Sequence, residues 1–385
     1  MEYVIFDISA WQYWSTPPEV AAMDLSVSHE LSHVGLSDWM FRHRSNSREI
    51  DRIVQKHLFG QLKGLELPIH VMVPEGCSKH DSSLVVPHRT PSWLRREHVI
   101  SIGSGLSVVT PELSLLLRRN PASKWDIALD MLSACGIYAI HKPTRLSALA
   151  MRIMREKGFL SPRIDPNLVV YGFSDENGKP LGPISPYGTE YPWTPSFNAR
   201  GMQTDLWKRP PLTSSEMLRL VAAELVGARD TKLARSTLEV MRDGSASPVE
   251  SRAYLLLCAG RTHGGEAFGV PDLNRRITFD AKARALAHQS SCFGDMVWID
   301  RKRVLEVQGY GFHTDEQGFY VQTGRAPALQ AMGYRMSEIT YAQMADLEVF
   351  DALLTMLAED LGFPLARRTP KFIARRDELH RALFK

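Results

Sequence analysis

The chain has 385 residues, 44% hydrophobic and 23% charged, which excludes a disordered or fibrous protein and leaves room for two or three domains. Forty-six Lys and Arg against 43 Asp and Glu leave a net charge of +3, so any basic patch for a polyanion must be local. Cys77, Cys135, Cys258 and Cys292 fall in no CxxC or Cys/His ligand spacing, which speaks against a disulfide framework or a zinc ribbon. Met1–Asp7 has no basic leader and no apolar run reaches the roughly 18 residues of a membrane span, so the expected setting is reducing, cytoplasmic and free of membrane.

In chain order, the first motif is His29-Glu30-Leu31-Ser32-His33, which matches the H-E-x-x-H helix of zinc peptidases. Only 28 residues precede it to build a supporting sheet, and Leu36 stands where the longer pattern wants glycine. Glu49 as a third ligand does not rescue it, and an amphipathic segment burying Leu31, Val34 and Trp39 is the better reading. Short strands are expected at Pro68–Val73, Val99–Ile102 and Leu106–Val109, with Gly103-Ser104-Gly105 as a turn. Pro111–Arg118 reads as a helix with Thr110 as its cap, and Trp125–Ile140 as another. Nine prolines between Pro162 and Pro211 predict a long loop or insertion over 161–211. Ser214–Met241 has helical spacing and is expected to form a connector over 212–244.

After the Asp243–Pro248 turn comes a helix over Pro248–Ala259, opened by Ser247. Strands follow at Arg276–Phe279, Asp295–Ile299 and Arg303–Gln308, then a helix near Asp315–Met332, a strand at Tyr334–Ile339 and a helix over Tyr341–Leu361. The fold class predicted is mixed α/β: an N-terminal α+β module over 1–160 and a C-terminal α-β-β-β-α-β core over 245–362. A basic segment over 363–385, with seven Lys and Arg from Arg367 onward, closes the chain; a solvated terminal helix is favoured over a contact to nucleic-acid backbone.

The chemistry concentrates at Asp295–Gly309. A hairpin with the loop Asp300–Arg303 sets Ile299 opposite Val304, Val297 opposite Glu306 and Asp295 opposite Gln308. Asp295, Glu306 and Gln308 then share one face of an otherwise apolar hairpin. Carboxylates buried side by side are costly unless a cation compensates, and hard oxygen ligands suit Mg²⁺ or Mn²⁺. Such an ion acidifies its water and polarises a phosphoryl oxygen. Glu250 offers a third metal-binding carboxylate, Gln308 a group to orient water, and His313 a partner for the leaving group or a phosphate. The competing explanation is a pair of solvent-facing edge-strand charges, with Glu250 serving only the first turn of its helix.

Glu250, Asp295, Glu306-Val307-Gln308, Gly309 and His313, in this order of elements, resemble the PD-(D/E)xK nuclease superfamily, which is restriction-endonuclease-like. The resemblance is strongest to the branch related to very-short-patch-repair enzymes, with Met332–Met336 matching its downstream strand entry. The front region, through His70–Pro74 and Val108–Leu113, is similar to AbiEi-type antitoxin proteins. The resemblance implies Mg²⁺-dependent hydrolysis of phosphodiesters, DNA more than RNA, in a phage-defence or toxin–antitoxin setting with a possible partner protein. Gln308 stands in place of the superfamily's lysine, and Lys302 has the parity to reach the same face. That departure keeps open a second class, a nucleic-acid-binding or antitoxin-like regulator that has lost hydrolysis.

Overall fold

The computed structural model describes residues 3–25, 48–77, 80–119, 121, 123–160, 193–198, 200–225, 231–309 and 316–384. It is a mixed α/β protein with three sheets. The H-E-x-x-H segment, most of the proline-rich stretch and His313 lie outside the described residues.

The N-terminal strand β1 (Tyr3–Ile5) leads into α1 (Asp7–Trp14) and α2 (Pro18–Ala22), and α3 (Glu49–His57) follows. Strands β2 (Ile69–Val73), β3 (Val85–Arg89), β4 (Val99–Gly103) and β5 (Leu106–Val109) complete a five-stranded mixed sheet in the order β3-β2-β1-β5-β4. Gly103, Ser104 and Gly105 make the expected β4–β5 turn, all with left-handed backbone. Helix α4 (Pro111–Leu116) begins after Thr110, whose side chain makes no cap hydrogen bond.

Helix α5 (Lys124–Ala134) is shorter than the expected Trp125–Ile140. It ends before Gly136, and β6 (Tyr138–Ile140) is a strand. The cause is crowding: a Cβ at Gly136 would lie 2.4 Å from the Ser245 carbonyl oxygen, so the turn into β6 passes too close to the 245 loop for a side chain. Helix α6 (Arg145–Glu156) comes next. Within the stretch expected to be a loop, β7 (Thr194–Phe197) and β8 (Gln203–Lys208) pair with β6 in an antiparallel sheet ordered β6-β8-β7. Pro195 is accommodated beside a register shift, at the outer strand of that sheet. The connector divides into α7 (Ser215–Glu224) and α8 (Lys232–Arg235).

The C-terminal region holds α9 (Pro248–Cys258), β9 (Asp272–Thr278), α10 (Ala281–Ala287), β10 (Ser291–Trp298), β11 (Arg303–Gln308), α11 (Glu316–Ala331) and β12 (Arg335–Thr340). Its sheet is ordered β12-β11-β10-β9, antiparallel from β9 to β11 and parallel between β11 and β12. Helix α10, between β9 and β10, is an addition to the expected order. The closing helix is two, α12 (Tyr341–Ala345) and α13 (Leu347–Leu361), because the Asp346 side chain turns back to cap Glu348 and Val349 N–H. Helix α14 (Pro370–Leu383) buries Phe372, Leu379 and Leu383, so the basic segment docks on the body and is no simple solvated tail.

A large core cluster runs from Trp11 and Leu132 through Leu255 and Leu305 to Leu379, joining the N-terminal and C-terminal regions. A smaller cluster (Ile277, Phe279, Val297, Val304, Leu329) fills the other face of the last sheet, under α10 and α11. All four cysteines are free thiols. Among the described residues no helix is long and apolar enough to cross a membrane.

Candidate active site

The β10–β11 hairpin closes one residue earlier than expected. Trp298 pairs with Arg303, Val297 with Val304 and Met296 with Leu305. The turn is a 3-10 segment, Ile299–Arg301, followed by Lys302 in left-handed conformation (φ 52°). Moving the loop without changing its length shifts the register by two, so side-chain parity survives. Carrying that register one step past Met296 brings Asp295 level with Glu306, where Gln308 was expected.

The ladder to β10 stops there, while β11 continues against β12 with Glu306 opposite Glu338 and Gln308 opposite Thr340. Where the two strands part, the Val307 N–H donates to Asp295 Oδ2 at 2.7 Å. The carboxylate thus takes a backbone donor that sheet pairing leaves over. Glu306 is buried on the face of Val304, and Arg325 of α11 donates to its Oε1 at 2.6 Å and also to the Phe293 carbonyl. Solvent-facing edge charges are therefore not what the structure shows at Glu306. Gly294 leaves room for the valines beneath the pair, since a Cβ there would meet Val297 Cγ2 at 2.5 Å and Val304 Cγ1 at 3.0 Å.

Glu250 enters from the first turn of α9, which packs on β10 and β11. Ser247 caps this helix by accepting from the Glu250 N–H, and Glu250 Oε2 accepts from the Ala246 N–H at 2.8 Å. This is a variant of the capping box, so the carboxylate has a structural task as well as its place at the site.

The three carboxylates act on one another. Burial first, and Glu306 among the neighbouring charges, push the Glu250 carboxyl up to about 7. Burial, then Glu250 and Glu306, hold Asp295 well above the usual carboxylate range, against the Val307 N–H and Arg325. Glu306 is raised too: burial outweighs the Arg325 guanidinium, and Glu338 adds to the rise. Three carboxylates beside one guanidinium leave a formal charge of −2 when all are ionised. That excess, offered by oxygen donors, is what a hard divalent cation complements. Among the described residues, no group of three or more His, Cys, Asp or Glu side chains is drawn together closely enough to hold a metal ion as it stands.

Of the other expected groups, Gln308 is half-buried at the end of β11, and His313 lies outside the described residues. Lys302 does not reach the site. Its ammonium donates to the Met332 carbonyl oxygen at 3.0 Å, tying the hairpin turn to the end of α11. Arg325 is the group the sequence reading missed. It is the one charged residue between Glu316 and Arg335, and a lone cation in that run of small and apolar residues was the available signal.

Compared with models of known families, with curated proteins and with solved structures, the chain matches none.

Proposed function

We propose that the C-terminal region is a metal-dependent phosphodiesterase acting on nucleic acid, DNA in preference to RNA, and that it belongs with the PD-(D/E)xK nucleases it resembles. The observation that carries this reading is that Glu250, Asp295 and Glu306, from a helix and two strands, are all raised by burial, with the Glu306 charge acting on both of the others. Carboxylates raised by burial and mutual repulsion are a mark of functional sites, because stability alone does not favour them. Asp295 and Glu306 would hold Mg²⁺ or Mn²⁺, with Glu250 assisting, and the ion would supply an acidified water and a polarised phosphoryl oxygen. The Val307 N–H fixes the Asp295 carboxylate in place, and Gln308, at the same strand end, would orient water. Arg325 places a permanent cation beside Glu306, and it would add positive potential near the phosphoryl oxygens where the superfamily's lysine is lacking. A role in phage defence, with the N-terminal region positioning substrate or regulating the core, rests on the resemblance to AbiEi-type proteins.

The second reading is a nucleic-acid-binding or antitoxin-like regulator without hydrolysis. The Arg325–Glu306 ion pair favours it, since a guanidinium already answers one of the carboxylates. Cleavage of supercoiled plasmid, single-stranded DNA and RNA with Mg²⁺ or Mn²⁺, beside a Glu306→Ala control, separates the two. Metal-dependent cutting lost in the variant supports the nuclease. No cutting, with both proteins binding DNA equally, leaves the regulator.

A further inference from the structure

A cation from a different sheet stands over the start of α9, where Glu250 joins the carboxylate group. Strand β8 ends at Lys208, in the middle of the sheet ordered β6-β8-β7. Trp207 and Arg209 on either side of it are fully buried, so alternation turns Lys208 to the opposite face, where it is exposed. On that face it pairs directly with Tyr138 of β6 and Thr194 of β7.

Tyr138 fixes where the row looks. Its hydroxyl lies 2.9 Å from Ser251 Oγ, which lies 2.8 Å from Ser245 Oγ, so the buried end of the row rests on the start of α9. The backbone repeats the tie: the Ile137 N–H donates to the Ser245 carbonyl at 2.8 Å, and the Gly244 N–H to the Cys135 carbonyl at 3.1 Å. Glu250 precedes Ser251 on the same turn. The small sheet and the Glu250 turn are thus held in one frame, with Lys208 as its exposed member. The field of the ammonium reaches the carboxylates: burial first, then Glu306, raise the Glu250 carboxyl, and Lys208 works against both.

The other cations near the site are committed. Arg325 donates to Glu306 and to the Phe293 carbonyl, Arg252 donates its Nε–H to the Leu383 carbonyl at 2.8 Å, and Lys302 is tied to Met332. Lys208 takes part in no hydrogen bond or ion pair among the described residues. A nucleic-acid strand carries a charge at every phosphate, and it must approach three carboxylates. With Arg325 and a divalent cation these sum to zero, so attraction for the strand has to come from beside the group. An exposed, uncommitted ammonium held over the Glu250 turn supplies it.

We propose that Lys208 binds a non-bridging phosphate oxygen of the nucleic-acid backbone at the carboxylate site and so draws the strand onto the metal; the inference rests on the nuclease reading above. Fluorescence anisotropy of the full chain with a labelled DNA duplex, with Ca²⁺ in place of Mg²⁺ and over a range of salt, measures the contact apart from cleavage. Lys208→Gln should weaken binding roughly tenfold and lower the salt slope by about 1, the loss of one phosphate contact, whatever the DNA sequence. Lys208→Arg should restore most of the affinity. Under Mg²⁺, KM of Lys208→Gln should rise more than kcat falls. Its Mn²⁺ affinity should hold or tighten, whereas damage to the Glu250 turn would loosen it, and the thermal midpoint checks the fold. Cutting by wild type that Lys208→Gln matches, with equal DNA affinity and salt slope, overturns the contact and leaves the nuclease standing. No cutting by wild type, with DNA binding that still falls in Lys208→Gln, overturns the nuclease and keeps the phosphate contact. Mn²⁺ and DNA affinity lost together, without rescue by Lys208→Arg, makes the residue structural and overturns the proposal. A wild type that neither binds nor cuts DNA overturns both.

Discussion

Arg325 reaches from α11 to Glu306 on β11, 2.6 Å from guanidinium nitrogen to carboxylate oxygen, and the pair is largely shielded from water. Glu306 is thereby the carboxylate of the group with a fixed counter-charge. Removing one partner of such a pair strands the other, which typically costs about 3 kcal/mol. Arg325→Ala should destabilise the protein by roughly that amount in urea unfolding, and Arg325→Ala with Glu306→Gln should recover most of it. Costs that simply add would show that the two residues are energetically independent.

Gly294 tests whether the carboxylate group depends on close backbone approach. An added Cβ would overlap Val297 Cγ2 at 2.5 Å and press on Val304 Cγ1 at 3.0 Å, both in the smaller core cluster. Gly294→Ala should cost about 1–3 kcal/mol of stability, as overpacking does. It should also weaken the response to divalent ions, because Val304, two residues from Glu306 on the same face, must shift to make room. Unchanged unfolding midpoints would contradict this packing.

Glu250 gives the site a pH signature. Its carboxyl is pushed from 4.5 up to about 7 in the folded protein, so the folded state binds more protons across that window. The stability contribution is fully present below about pH 4.5 and is lost as pH rises through 7; Asp295, also raised, acts in the same direction. Glu250→Gln keeps an acceptor for the Ala246 N–H and cannot ionise. In EDTA it should be near neutral at pH 5 and stabilise by about 3 kcal/mol at pH 8. A variant less stable than wild type at pH 8 would mean that the ionised carboxylate is favoured in the fold.

Much of the C-terminal region was legible in the sequence, because alternation and capping speak locally. Arg303–Gln308 is a strand with the expected bounds, and Ser247 opens α9 as expected. The hairpin register was harder, since the 3-10 turn at Ile299–Arg301 depends on left-handed Lys302, a conformation that lysine does not advertise. Parity brought Asp295 and Glu306 together even so. The end of α5 was not legible, because a contact between Gly136 and Ser245, far along the chain, sets it. Strands β7 and β8 were hidden by prolines that an outer strand tolerates. Arg325 was missed because its partner is 19 residues away and on another element.

Mn²⁺ binding followed by electron paramagnetic resonance asks whether Glu250, Asp295 and Glu306 hold a divalent cation. The wild-type chain should bind Mn²⁺ and release it to excess Mg²⁺, and Asp295→Asn should lose at least tenfold in affinity while keeping its fold. Wild type and Asp295→Asn that bind Mn²⁺ equally, or not at all, would contradict a metal centre at these carboxylates and leave Arg325 as their counter-ion.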